Sequence, residues 1–126
     1  MDTTALAFLG DAFFELAVRR RLTEKGKAQA ADRLHLAAVR YVKASAQAGA
    51  LRALVKRGAL SNEELDVVRK ARNRKPKSVP KNADPLEYKY ATAFEALLGC
   101  HFQEGRTERA EELAGMAMDI IDEAGK

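Results

Sequence analysis

The chain has one cysteine in 126 residues, so no intrachain disulfide can form. That usage fits a reducing compartment. Cys100 stands in an apolar stretch with nothing beside it to activate a thiolate, and reads as a small buried hydrophobe. Long apolar runs are missing too: none approaches the roughly 18 residues of a membrane-spanning helix. Asp2 stands where a secretory leader would carry basic residues. A cytoplasmic protein is the expectation. Internal repeats and low-complexity tracts are absent. So are sustained period-2 alternation and hairpin turns, which leaves no strand signal. There is no glycine-rich phosphate loop and no nucleophile elbow. The two histidines, His35 and His101, show no metal-ligand spacing.

What remains is helical periodicity from end to end. The length suits a single domain, residues 1–126, able to bury a hydrophobic core without metals or disulfides to hold it. The pattern predicts six helices. The first runs from about Thr4 to Glu24, apolar on more than one side and therefore central, and ends at Gly26. The second runs from Asp32, as cap, to Ala48, with a stripe of Leu36, Val39, Val42 and Ala46. Gly49 breaks it, and a short helix from Ala50 to Arg57 follows. Ser61 and Glu64 form a capping box opening a helix that reaches about Ala71. Asp84 followed by Pro85 starts a helix to Gln103, and Thr107 starts one to about Glu123.

Two acids stand out against this background. Asp11 is set in an apolar stretch, Ala5 to Phe14, and Glu95 in another, Tyr90 to Gly99. A buried carboxylate must become neutral, pair with a cation or bind a metal. Each has a glycine near it, Gly10 before Asp11 and Gly99 four residues after Glu95. A mid-helix glycine costs about 1 kcal/mol relative to alanine, commonly accepted where another backbone comes close. If the two helices cross at these glycines, the carboxylates meet. Oxygen ligands of that kind suit Mg²⁺ or Mn²⁺. The alternative is that each carboxylate pairs with an arginine or caps a helix. Glu15 lies one turn beyond Asp11, but Arg19 is placed to take it as an i, i+4 pair.

The net charge of +4 has one source. Residues 69 to 81 hold seven basic side chains (Arg69, Lys70, Arg72, Arg74, Lys75, Lys77, Lys81) and no acid, leaving 15 basic against 18 acidic residues elsewhere. A second cluster is Arg19 to Arg21 with Lys25 and Lys27. Pro76 and Pro80 keep the first segment out of regular helix. Such a loop is either solvated for its own sake or made for phosphates. It has no interleaved aromatics on which single-stranded bases could stack, so duplex backbone is the better fit. A divalent metal beside such a loop is what phosphodiester hydrolysis uses.

The same residues resemble the ribonuclease III catalytic domain. Phe8-Leu9-Gly10-Asp11-Ala12 is similar to that family's signature helix, and Phe94 to Gly99 to its second acidic motif. The likeness is closer to the Mini-III branch, which lacks the double-stranded-RNA-binding domain. Five blocks carry it in order: Leu6 to Glu15, Tyr41 to Ala48, Arg72-Asn73-Arg74, Val79 to Asn82 and Tyr90 to Gly99. The resemblance implies an all-α ribonuclease III-type domain, a homodimer that cleaves double-stranded RNA with Mg²⁺ to leave 5′-phosphate ends. In that branch the substrate is the 23S ribosomal RNA precursor. It also implies that Asp11 and Glu95 hold the metal. The basic loop adds Arg72, Arg74, Lys75, Lys77 and Lys81 as the residues expected to grip RNA phosphates, and modest affinity would make a ribosomal helper protein a further partner. Two positions depart from the larger enzymes: Ala7 and Thr92 stand where those carry acids. A catalytically silent RNA-binding helical module is the second reading, and a helical scaffold with buried Asp–Arg pairs the third.

Overall fold

A computed structural model describes residues 1–24, 29–75 and 79–125. Gly26, the basic residues Lys25, Lys27 and Lys77, and Pro76 lie outside the described residues. The rest form six helices and, among the described residues, no strand: α1 (Thr3–Glu24), α2 (Ala31–Val42), α3 (Ala44–Lys56), α4 (Asn62–Asn73), α5 (Pro85–Gln103) and α6 (Thr107–Ala124). None is long and apolar enough to cross a membrane.

α5 is the hub. Ala91, Ala93, Phe94, Ala96, Leu97, Leu98 and Gly99 are all buried, because α1, α3, α4 and α6 surround the helix. Its start follows the expected chemistry. The Asp84 carboxylate accepts from the backbone N–H of Leu86 at 2.9 Å, and Pro85 occupies the first turn, where its missing N–H costs nothing. α4 starts with the expected capping box: Ser61 N–H donates to Glu64 at 2.8 Å and Glu64 N–H to the Ser61 hydroxyl at 3.1 Å.

Four sequence expectations need correction. The break in the second helical region falls at Lys43, whose backbone is extended (φ −63°, ψ 149°), and not at Gly49. Gly49 stays inside α3, because burying Gln47, Ala48, Ala50, Leu51 and Leu54 on one continuous face outweighs its helix cost. Asp32 lies in the first turn of α2 and not at its cap, which is Ala30 with no side-chain bond. The stripe expected for the second helix packs on the core only at its end, through Val42 and Ala46. Ala38 and Tyr41 are buried, whereas Leu36 is 70% exposed. Similarly α1 buries one face, Ala7, Gly10, Phe14 and Val18, with Phe14 meeting Phe94 edge-on at 5.1 Å between ring centroids. Phe8 and Leu16 on its other side are 82% and 67% exposed.

A buried ionic network holds the far end of the bundle. Glu64 of α4 accepts two bonds from Arg109 of α6, at 2.9 and 2.8 Å, and lies 2.6 Å from His101 Nε2 of α5. Arg106 donates to His101 Nδ1 at 2.9 Å, so the histidine's own proton is on Nε2 and points at Glu64.

Candidate active site

α1 and α5 cross at Gly10 and Gly99. A Cβ on Gly10 would fall 1.7 Å from the Glu95 carbonyl oxygen, and one on Gly99 would fall 1.9 Å from that of Leu6. No side chain fits either place. Backbone-to-backbone approach brings Asp11, next to Gly10, and Glu95, one turn before Gly99, to the same cleft. This cleft has a volume of about 500 Å³. Its walls carry Arg74 from the end of α4 and Lys89 from α5.

The two carboxylates differ in setting. Asp11 is exposed at the cleft mouth, so the expectation of two buried acids holds only for Glu95, which is half-buried. Burial first, and then the facing Asp11 carboxylate, push the Glu95 pKa up to about 8. Neither acid has a salt-bridge partner among the described residues. That removes the arginine-pair alternative for both.

Behind Glu95 lies Gln47 of α3, 1% exposed. Its side chain opposes the upward shift of Glu95, yet its Nε2 makes no geometrically complete hydrogen bond. It is a buried amide donor next to an acid, with capacity left over. Sequence reasoning passed over it; an uncharged amide in an otherwise apolar buried stretch (Ala46, Ala48, Ala50, Leu51) was the available signal. Lys89 was also missed, although it stands two i, i+3 steps before Glu95, on the same face.

The expected site residues divide. Asp11, Glu95 and Arg74 share the cleft, and Arg74 also donates to the Thr4 hydroxyl. Arg72 does not join them: it turns to Tyr90, donating to its hydroxyl at 3.2 Å. Lys75 and Lys81 are exposed and away from the cleft lining. Lys77 lies outside the described residues. Glu15 stands apart, 3.5 Å from Arg19. Ala7 and Thr92 both line the cleft beside the acids. The Arg19 to Arg21 cluster is neutralised, with Arg20 facing Glu24 and Glu111 and Arg21 facing Asp119 and Asp122.

The donor set fits a hard divalent cation. Two carboxylates that repel each other are relieved by such an ion, and oxygen is its preferred ligand. No third Asp, Glu, His or Cys stands within ligand reach among the described residues, so water and substrate oxygens would complete the shell.

The fold and this cleft define an endoribonuclease domain, for residues 4–106 match the model of the Ribonuclease III domain. The relatives narrow this further. A Mini-ribonuclease 3 of Symbiobacterium thermophilum is 48% identical over 93% of this chain and 88% of its own length. Those of Brevibacillus brevis and a Thermoanaerobacter strain are 46% and 40% identical, over 85% and 84% of their lengths. A crystal structure of a Fusobacterium nucleatum protein superposes with a TM-score of 0.76 at 27% identity, covering 90% of this chain and 88% of that one. The chain belongs to the ribonuclease III family, among its Mini-ribonuclease 3 members.

Proposed function

We propose that this protein is a divalent-metal-dependent endoribonuclease that cuts double-stranded RNA, with the cleft of Asp11 and Glu95 as its active site. The observation that carries the reading is the glycine-locked crossing, which sets two carboxylates side by side next to Arg74 and Lys89. Asp11 and Glu95 would hold Mg²⁺, or Mn²⁺ in its place. When bound, such an ion lowers the pKa of water and offsets charge building on the phosphate. The protein's own part is positional. Arg74 and Lys89 neutralise and orient the phosphate backbone at the cleft wall, and the exposed Lys75 and Lys81 extend that positive approach. Gln47 offers its spare N–H to ionised Glu95 and so favours the form that binds a cation.

The Mini-III likeness extends the reading to the 23S ribosomal RNA precursor as substrate, in the cytoplasm, giving 5′-phosphate ends. With two carboxylates and one basic segment, affinity is modest, so a folded RNA shape or a ribosomal helper protein directs the cut. A homodimer fits as well. Phe8 and Leu16 are large, apolar and open on α1, and a second copy covering them would place one site on each strand.

The test uses perfectly paired RNA with Mg²⁺ or EDTA. Wild type cleaves only with Mg²⁺, and Asp11→Asn loses at least about a hundredfold in rate. Equal cleavage by the variant would sink the metal site. Binding without cleavage by either protein would favour the silent RNA-binding module.

A further inference from the structure

A second basic pocket, of about 320 Å³, lies between α3, α4 and α5, and the nuclease reading does not use it. Its centre is Tyr90. The Arg52 guanidinium stands 4.5 Å from the centroid of the ring, and that of Arg72 5.6 Å. Arg72 also bonds the Tyr90 hydroxyl, and Lys56 completes the rim. Arg69 lines the same pocket but is already answered: Asp66 takes it at 2.5 Å and Lys70 at 3.2 Å. Arg52, Lys56 and Arg72 meet no carboxylate within ion-pair distance among the described residues.

Three unanswered cations around one ring repel each other. Each arginine gains from the aromatic face, but that attraction leaves the mutual repulsion in place. An anion between them removes it. The guanidinium forks and the tyrosine hydroxyl offer the donors a phosphate takes, and the open face admits a polymer. The location fits the same substrate. Ala71 and Arg74 face the acidic cleft while Arg72 faces this pocket, so the last turn of α4 is the wall between them. A helix is about 10 Å across, a span that a nucleic-acid backbone covers within a few nucleotides.

We propose that Arg52, Lys56 and Arg72, gathered around Tyr90, bind a backbone phosphate of the duplex RNA whose scissile phosphate occupies the Asp11 and Glu95 cleft. The proposal rests on the nuclease reading and adds α3 to the RNA footprint.

Binding of a fluorescent, perfectly paired RNA in EDTA, followed from low to moderate salt, tests it. Arg52→Gln and Lys56→Gln should each weaken binding roughly 3- to 30-fold and flatten the plot of log affinity against log salt by about 0.7 to 0.9. Arg52→Lys should restore most of the slope. A structural strut would behave differently: Arg52→Gln would lower the melting temperature and leave the salt slope as in wild type, and that result overturns the proposal. If wild type cleaves paired RNA but neither variant alters the slope, this site fails and the nuclease reading stands. If wild type neither binds nor cleaves paired RNA, both fail.

Discussion

Gly10 and Gly99 are each other's reason for being glycine: each leaves the room that the opposite backbone fills. Alanine is the better helix former by about 1 kcal/mol. Yet Gly99→Ala would put a methyl 1.9 Å from the Leu6 carbonyl oxygen, and backbone cannot step aside as a flexible side chain can. Overpacking costs typically about 1–3 kcal/mol, and this contact belongs at the top of that range or above. Denaturant midpoints measure it. Gly49→Ala is the control: nothing lies within 4 Å of its new methyl, so it should stabilise by up to about 1 kcal/mol. Equal effects at the two positions would refute the crossing.

Glu95 sets a pH dependence. Its folded pKa of about 8 lies above the ordinary 4.5. Between those values the folded state keeps a proton that the unfolded chain has released, so stability in EDTA falls as pH rises through that window. The loss should reach a few kcal/mol by pH 8 at most. Glu95→Gln removes it, which urea unfolding at pH 5 and pH 8 checks; parallel curves for the two proteins would contradict the assignment. Gln47→Leu should raise the Glu95 pKa further, since it deletes the one group that opposes the shift. Mg²⁺ binding at pH 7 should release a proton, read by calorimetry in buffers of different ionisation heat.

Glu64 works the other way. The Arg109 bonds foremost hold its pKa down to about 2, against an ordinary 4.5. Its stabilising contribution is therefore complete above pH 4.5 and disappears as pH falls towards 2. Glu64→Gln should cost about 1–3 kcal/mol at neutral pH, because Arg109 loses its bonds to a buried carboxylate while keeping Glu112 and the Ala59 carbonyl. The variant should also lose the steep part of acid unfolding between those pH values. A small neutral-pH cost would mean that the network contributes little.

Phe8→Glu and Leu16→Glu should convert a dimer to a folded monomer in sedimentation velocity, with the helical circular dichroism unchanged. Both side chains are too exposed for the change to disturb the core. A wild-type monomer at tens of micromolar would dismiss the dimer.

Local chemistry was legible in the sequence, and partnership was not. The capping box at Ser61 and the Asp84–Pro85 start rest on neighbours within three residues, and both formed as read. The two acids and their glycines could be paired because an unexplained mid-helix glycine asks for a backbone opposite it. What failed needed knowledge of the opposing surface. Periodicity found apolar residues at Leu36 and Leu16, but not that nothing among the described residues covers them. Arg72 and Arg74 looked alike in a basic run, yet two residues on one helical turn end point to different places, one to Tyr90 and one to the acidic cleft. Lys43 carries no mark of a helix break, because the break is set by how α2 and α3 dock on their neighbours.

The crossing of α1 with α5 also fixes a moment in the life of the chain. On a ribosome Asp11 emerges 84 residues ahead of Glu95. At 5–20 residues per second the wait is roughly 4–17 seconds. Until α5 arrives nothing opposes Gly10, and Asp11 has no second acid beside it. A nuclease assembled this way stays unarmed through that interval, next to the ribosomal RNA that is making it.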